Sequence, residues 1–289
     1  MFRGSFVALA TPFKSNFDID FDAYGRLIDF QIEQGTNGLV ACGCTGEAAT
    51  LSHDEQEQCI KFVVERAAGR VPVIAGTGSN NTGEALRLTQ FAQETGADGA
   101  LLITPYYNKP TPAGQIAHYK TIAEQTKIPI VLYNVPGRTG TNMLPETVGE
   151  LAKVENIVAI KESTGGVDQA AQFMSLCDIT VLSGDDHMTL PMMALGGQGV
   201  ISVAANAAPK KVAALVAACL KGHYTEAHNI HYELLPLFKG LFIETNPIPL
   251  KAVLSRMGLM ENVLRMPLTP LPGDKYEKIA PIVERLGLV

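Results

Sequence analysis

Eight short apolar runs alternate with helix-patterned segments through the first two hundred residues, and this alternation restricts the possible folds more than any other feature. The runs occupy residues 4–9, 38–43, 71–76, 99–104, 129–135, 157–161, 179–183 and 199–204. Between them, apolar residues recur at helical spacing, as at Leu27, Ile28 and Ile32. Eight strand-helix units in one chain predict an α/β fold of the (β/α)8 TIM-barrel type rather than an open sheet.

Helix starts and a change of pattern define the organisation of the chain. Ser52 and Asn81 are expected to cap two helices, and Pro145 is expected to open another that runs to Val154. After residue 208 the helical periodicity continues with proline breaks and little strand signal. The sequence therefore predicts a catalytic barrel over residues 1–208 and a C-terminal helical extension, packed on the barrel, over residues 209–289.

Composition narrows the class of protein. The 289 residues include 23 Lys and Arg against 29 Asp and Glu, so the net charge is −6 and offers no basic surface for nucleic acid or anionic membranes. The longest apolar run, residues 212–220, is under half a membrane span, and the N-terminal apolar stretch is too short for a secretion signal. Five scattered cysteines fit neither a disulfide framework nor a zinc site. We expect a soluble, cytoplasmic protein without nucleic-acid or membrane partners.

Lys161 is the most informative candidate for chemistry. It ends an apolar run, where period-two alternation groups it with Ile157 and Ala159 on one face, and active sites of such barrels lie at the carboxyl ends of the strands. A desolvated lysine has a lowered pKa and supplies the neutral amine that forms a Schiff base with a carbonyl compound. The run alone leaves an alternative open, in which Lys161 reaches solvent or pairs with Glu162.

Other strand ends carry weaker candidates. Tyr133 lies one strand earlier, where a phenol beside the lysine could move protons. For a tyrosine taken alone, a place in the core with its hydroxyl bonded to the backbone is the more common role. Arg138 follows in a Pro-Gly-Arg-Thr loop that could clamp a carboxylate, and residues 43–47 form a glycine-bracketed turn with free N–H groups. The histidines and residues 185–187 lack a convincing metal-ligand spacing, so no metal or other cofactor is predicted.

These features together resemble one family. The motifs are Gly43-x-Thr45-Gly46-Glu47, Thr104-Pro105-Tyr106-Tyr107-Asn108-Lys109-Pro110, Leu132-Tyr133-Asn134-Val135-Pro136-Gly137-Arg138-Thr139, Ile160-Lys161-Glu162, Ser183-Gly184-Asp185-Asp186 and Asn246-Pro247-Ile248-Pro249. In this order and spacing they resemble the dihydrodipicolinate synthases, and the resemblance runs from end to end. It implies a class I aldolase-type condensation of pyruvate with L-aspartate 4-semialdehyde in lysine and diaminopimelate biosynthesis, without a cofactor.

The resemblance also implies roles for individual residues. Lys161 would form the Schiff base, Tyr133 and Tyr107 would relay protons, and Arg138 would bind the carboxylate of the semialdehyde. The remaining implied substrate contacts are Thr45, the carbonyl of Val203, and Gly184. Because Tyr107 enters a neighbouring subunit's site in such enzymes, a homotetramer built from tight dimers is implied. Feedback inhibition by lysine is implied by matches at Ala49, His53, Asn80, Glu84 and Tyr106.

Cys44 departs from the family pattern. The relay in the family normally has a threonine hydroxyl at this position, between the two tyrosines. A thiol is a weaker hydrogen-bonding group with longer bonds. We therefore expect reduced turnover with intact imine formation.

Two other functions compete with this one. N-acetylneuraminate lyases and 2-keto-3-deoxy sugar acid aldolases use the same imine chemistry, but Arg138 favours a short acidic aldehyde over a polyol. A non-catalytic barrel that binds a keto acid as a sensor is the alternative outside enzymology. The presence of Lys161, Tyr133 and Arg138 together argues against it.

Overall fold

The chain folds into a closed barrel of eight parallel strands. The structure is a computed structural model and describes residues 2–289. Neighbouring strands pair in chain order, and the last strand closes the barrel by pairing with the first. The strands are β1 (Gly4–Ala8), β2 (Gly38–Ala41), β3 (Val73–Gly76), β4 (Gly99–Ile103), β5 (Ile130–Asn134), β6 (Ile157–Glu162), β7 (Thr180–Ser183) and β8 (Gly199–Ser202). The predicted TIM-barrel fold is confirmed. Seven of the eight predicted runs contain a whole strand, and β6 continues one residue beyond its run, to Glu162.

Helices surround the barrel and form the C-terminal segment. They are α1 (Phe21–Glu33), α2 (His53–Ala67), α3 (Thr82–Thr95), α4 (Pro112–Glu124), α5 (Pro136–Thr139), α6 (Pro145–Leu151), α7 (Asp168–Leu176), α8 (Thr189–Ala194), α9 (Pro209–Leu220), α10 (Tyr224–Gly240), α11 (Ile248–Arg256) and α12 (Gly273–Arg285). Within residues 2–289, none of these helices combines the length and the apolar character that crossing a bilayer requires.

The predicted helix starts are confirmed. Ser52 Oγ accepts from the Glu55 backbone N–H at 3.2 Å, and the Glu55 carboxylate accepts from the Ser52 N–H at 2.9 Å, which is a complete capping box. Asn81 caps α3 with its side-chain oxygen, which accepts from the backbone N–H groups of Gly83 and Glu84. The predicted end of α6 at Val154 is wrong, because the chain turns after Leu151 to deliver Ile157 into β6.

The helix that follows β8 belongs to the barrel. α9 packs against β1 and against α8, so it occupies the eighth position of the outer helical ring. The division expected at residue 208 would therefore cut the last strand-helix unit in two. This packing favours an extension that begins after Leu220 and consists of α10, α11 and α12.

Apolar side chains fill two layers, one inside the barrel and one between strands and helices. Ala159 and Tyr133 belong to the inner layer, whereas Ile157 packs in the outer one. The predicted alternation that placed Ile157 on the face of Lys161 is therefore wrong at that residue. The cause is a register shift: Ile130 pairs with Ile157 but Val131 pairs with Ala159, so Val158 is an extra residue and the alternation restarts beyond it.

Candidate active site

A cavity of about 480 Å³ opens at the carboxyl ends of the strands. Its lining includes seven of the residues that the sequence nominated: Cys44, Thr45, Tyr133, Arg138, Lys161, Gly184 and Val203. These residues come from loops and strand ends that lie up to about 160 positions apart in the chain. The barrel therefore brings the separate motifs into one space.

Lys161 lies at the wall of this cavity and is almost fully buried. Its side chain extends from β6, where Lys161 pairs in register with Tyr133 of β5, and only 5% of the residue is exposed. Burial lowers the pKa of Lys161 to about 8, with the Arg138 guanidinium acting in the same direction and Cys44, Asp185 and Asp186 opposing it. A larger fraction of this amine is thus neutral near pH 7 than of an exposed lysine.

Tyr133 is the nearest aromatic partner of the lysine. The Lys161 Nζ atom lies 4.2 Å from the centroid of the Tyr133 ring. Burial raises the pKa of the Tyr133 phenol well above its usual value, Cys44 adds to the rise, and the Arg138 guanidinium opposes it. Tyr133 is therefore a neutral phenol that can donate and receive a proton without becoming a resident anion.

Gly184 is required by the close approach of the lysine side chain. A Cβ atom on Gly184 would lie 1.8 Å from Ser163 Oγ and 2.9 Å from Lys161 Cε. Both distances are far below van der Waals contact. The Gly184 backbone consequently forms part of the wall against which the lysine side chain rests.

Thr45 and Arg138, the two residues expected to bind substrate carboxylates, both form a hydrogen bond with Asn246. The Asn246 side-chain amide donates to Thr45 Oγ1 at 3.0 Å, and the Asn246 carbonyl accepts from Arg138 Nη2 at 3.0 Å. Asn246 is buried, and its Oδ1 atom has no hydrogen-bond partner within the described part of the chain. Hydroxyl, guanidinium and amide groups thus converge on the side of the cavity formed by the C-terminal segment.

Asp186 holds the turn after β8. Its carboxylate accepts from the Ser202 hydroxyl and from the backbone N–H groups of Val203 and Ala204, the last at 2.9 Å. The Val203 carbonyl in turn accepts from the backbone N–H and the side-chain amide of Asn206 at 3.1 and 3.0 Å. Val203 also lines the cavity, so the substrate contact that the resemblance implies for its carbonyl stays a prediction.

Asp185 places a carboxylate in the lining of the cavity that holds Lys161. It lines the cavity, and its carboxylate accepts from the Gly165 N–H at 3.1 Å. Burial raises its pKa, while His187 and Lys161 act in the opposite direction. Its charge favours the protonated form of Lys161 and so opposes part of the effect of burial on the pKa of that amine.

A second cavity has a volume of about 440 Å³. It is lined by most of the residues that the resemblance assigned to feedback inhibition by lysine. Ala49, His53, Glu84 and Tyr106 line it, and His53 Nε2 lies 3.9 Å from Glu84 Oε2. Asn80 is not part of the lining but donates from its side chain to the Tyr106 carbonyl at 3.2 Å.

Tyr107 is the one nominated catalytic residue that lies away from the first cavity. It is 89% exposed and does not line either cavity. Its backbone adopts a left-handed conformation with φ of 70°. The remaining nominated catalytic residues, Lys161, Tyr133 and Cys44, all line the first cavity.

Several site residues received no role from the sequence. Asn246 and Asp185 stood within quoted motifs, but only the fold reveals that Asn246 reaches Thr45 from 201 positions away. Glu244 and Phe242 also line the cavity, and neither belongs to a motif with a recognisable chemistry. Across residues 2–289, no group of three or more His, Cys, Asp or Glu residues is arranged to hold a metal ion.

Comparisons with known proteins indicate the same family along the whole chain. The model of the dihydrodipicolinate synthetase family matches residues 1–286. A 4-hydroxy-tetrahydrodipicolinate synthase from Citrifermentans bemidjiense is 52% identical over 291 residues and is covered, like this chain, in full.

Solved structures give the same result. A chloride-inhibited dihydrodipicolinate synthase from Acinetobacter baumannii, complexed with pyruvate, is 44% identical with a TM-score of 0.97 over 99% of both chains. An enzyme of the same name from Cyanidioschyzon merolae, with lysine bound, is 38% identical with a TM-score of 0.97 over 100% of this chain and 99% of the other. The chain is thus similar to these proteins in both sequence and fold.

Proposed function

The chain belongs to the dihydrodipicolinate synthetase family of lyases, and from this we propose that it condenses pyruvate with L-aspartate 4-semialdehyde in lysine and diaminopimelate biosynthesis. Lys161 is the residue on which the proposal depends. The single observation that carries it is a nearly buried amine, with its pKa lowered to about 8, in a cavity that also holds Tyr133 and Arg138.

In the first half of the reaction, Lys161 captures pyruvate. The neutral Nζ atom attacks the ketone carbon, a carbinolamine forms, and loss of water leaves an imine between the lysine and C2 of pyruvate. The Tyr133 phenol donates the proton that lets the hydroxyl depart as water. Loss of a proton from the pyruvate methyl group then gives the enamine.

In the second half, the enamine carbon attacks the aldehyde of the semialdehyde. A carbon–carbon bond forms, the aldehyde oxygen takes a proton from the Tyr133 relay, and the imine is restored. The substrate's own amino group then attacks the imine carbon, which closes the ring and releases Lys161. Each step conserves atoms and electrons without a redox partner.

A positively charged group and several hydrogen-bond donors determine which substrates fit the cavity. Thr45 and the backbone of residues 43–47 would hold the carboxylate of pyruvate, and the exposed Arg138 guanidinium would hold that of the semialdehyde. Gly184 keeps the wall beside Lys161 free of a side chain. A polyol aldehyde offers no carboxylate to Arg138, which disfavours the sugar-acid aldolase activities.

We further propose that the active assembly is a homotetramer of tight dimers. Tyr107 supports this, because it is 89% exposed and lines neither cavity of its own chain, so it is available to a second subunit. In the dimer, Tyr107 would join the proton relay of Tyr133 and Cys44 in the neighbouring subunit.

Inhibition by lysine is proposed for the second cavity. The Glu84 carboxylate would take an ammonium group of the ligand, and Tyr106 and Asn80 would contact its carboxylate. The lysine-bound relative supports this proposal by analogy. We also propose a cytoplasmic location, which agrees with five free thiols in the described chain.

A trapping experiment tests the central proposal. The protein is incubated with pyruvate and borohydride, its intact mass is measured, and the modified peptide is mapped, while turnover on the semialdehyde is recorded in parallel. A reduced adduct at Lys161 together with condensation is expected. An adduct without condensation would redirect the proposal to another aldehyde, and absence of an adduct at Lys161 would refute the mechanism.

A further inference from the structure

The loop that carries Thr45 is held from outside the barrel. Glu47 ends this loop, and its carboxylate accepts from Lys251 Nζ at 2.5 Å and from the Arg265 backbone N–H at 3.2 Å. Lys251 lies on α11, in the turn that follows Asn246, which itself donates to Thr45. One short C-terminal segment thus contacts the loop at two points.

The ion pair between Glu47 and Lys251 is sealed from solvent. The exposed fractions of the two side chains are 1% and 0%. Lys251 Nζ also donates to the Val263 carbonyl at 2.7 Å and lies 4.2 Å from the centroid of the Phe13 ring. Since desolvation of two charges offsets much of their attraction, a buried pair of this kind is a poor source of stability. Its defined geometry suits a positioning role better.

The backbone of the loop needs such support. Glu47 adopts a left-handed conformation with φ of 54°, which residues with a side chain rarely take. The turn is tight, since the Gly46 N–H donates to the Gly43 carbonyl at 3.0 Å and the Glu47 N–H donates to the Cys44 carbonyl at 3.1 Å. Conformations of this kind persist where surrounding contacts determine them.

We propose that the Glu47–Lys251 pair is a positioning device that keeps residues 43–47 in the shape that binds the pyruvate carboxylate. The inference rests on the proposed function, in which Thr45 and this loop hold that carboxylate. Neither Glu47 nor Lys251 lines the cavity around Lys161, so both act through the loop and not on the substrate. The C-terminal segment then contributes to pyruvate binding through the loop that it supports.

Three variants of the full chain test the proposal: Lys251→Met, Glu47→Gln, and the two combined. The readouts are the pyruvate concentration that half-saturates borohydride trapping at Lys161, the KM values for both substrates, and the unfolding temperature. We expect Lys251→Met to raise half-saturation by roughly tenfold to a hundredfold, because it releases the loop and leaves the carboxylate unpaired. The KM for the semialdehyde should stay within about twofold.

The double variant separates positioning from stability. It removes both charges, so its unfolding temperature should recover relative to Lys251→Met, while its half-saturating pyruvate concentration should remain high because the loop is still unanchored. A pyruvate affinity that recovers together with the unfolding temperature would overturn the proposal. If Lys251→Met does not fold, Glu47→Gln and the double variant carry the same comparison.

A matched control comes from an ion pair between α9 and α10. Lys211 forms an exposed ion pair with Glu233 that joins α9 to α10, and Lys211→Met should leave pyruvate trapping unchanged. The proposed function and this inference fail in different ways. No adduct on the unmodified protein refutes the function, whereas an adduct with unchanged half-saturation in all three variants refutes the positioning role alone.

Discussion

The amino group of Lys161 lies over the face of the Tyr133 ring, 4.2 Å from its centroid, and the two residues are register partners on β6 and β5. The ring therefore covers the amine and shields it from water, and this effect does not depend on the hydroxyl group at the edge of the ring. A protonated amine is attracted to the ring face, whereas the neutral amine is the nucleophile. Ring and hydroxyl thus have separable functions.

The first prediction separates these two functions with Tyr133→Phe. This variant keeps the ring over Lys161, so a pyruvate adduct should still be trapped by borohydride. Loss of the hydroxyl should lower the condensation rate by roughly 10²- to 10⁴-fold, the usual contribution of a general acid–base group. Tyr119→Phe is the matched control, because Tyr119 is buried outside the cavity. Equal rates for Tyr133→Phe and the unmodified protein would contradict the relay.

The second prediction concerns the wall beside the lysine. Gly184→Ala places a Cβ atom 2.9 Å from Lys161 Cε and 1.8 Å from Ser163 Oγ, so the lysine must move. Displacement of a nucleophile by about 1 Å can cost on the order of a hundredfold in rate, and trapping at Lys161 should slow accordingly. Gly166→Ala, which meets no atom within 4 Å, should trap pyruvate at the original rate.

The third prediction is a pH profile. Because the pKa of Lys161 is lowered to about 8, the rate of adduct formation should rise with pH and level off above about pH 8. An exposed lysine, with a pKa of about 10.4, would give a rate that still rises at pH 10. Rapid-quench borohydride trapping between pH 6 and pH 10 distinguishes the two profiles.

The same pKa shift affects stability. When the pKa of a lysine is lower in the folded state than in the unfolded state, the unfolded state binds more protons at any pH between these two pKa values. The free energy of unfolding therefore increases with pH in that interval. The lowered pKa values of Lys161 and Lys251 place this interval between about pH 8 and about pH 10.5. Their contribution to the free energy of unfolding should rise with pH there, and replacement of Lys161 by Met should remove part of that rise in denaturant titrations.

The fourth prediction tests the departure at Cys44. A hydroxyl forms shorter and stronger hydrogen bonds than a thiol, so Cys44→Thr should raise turnover by a few-fold to about tenfold while the yield of trapped pyruvate stays the same. Cys177→Ser, at the end of α7 and away from the cavity, is the control. No gain in turnover would show that the thiol, or a water molecule beside it, already completes the relay.

The fifth prediction concerns the second cavity. Glu84→Gln removes the carboxylate proposed to bind an ammonium group of lysine, so the lysine concentration that gives half-inhibition should rise by at least about tenfold. Isothermal titration with lysine measures the same loss directly. Glu94→Gln changes an exposed carboxylate on the same helix and should not alter lysine binding. Unchanged inhibition in Glu84→Gln would remove this cavity as the regulatory site.

The sequence was sufficient for the local features of the barrel. Strand runs, helix caps at Ser52 and Asn81, and Lys161 at the end of its strand all depend on neighbouring residues, whose interactions are encoded within a few positions. The ordered motifs also indicated the family. These inferences did not require knowledge of which distant segments meet.

Tertiary structure alone decided the rest, because the remaining features depend on contacts between distant parts of the chain. The bulge at Val158 moved Ile157 out of the inner layer, and only the folded chain reveals that α9 packs against β1. The partnership of Glu47 with Lys251 spans 204 positions. Burial of Lys161, which lowers its pKa, likewise arises only when the barrel closes around it, since desolvation is a property of the assembled fold.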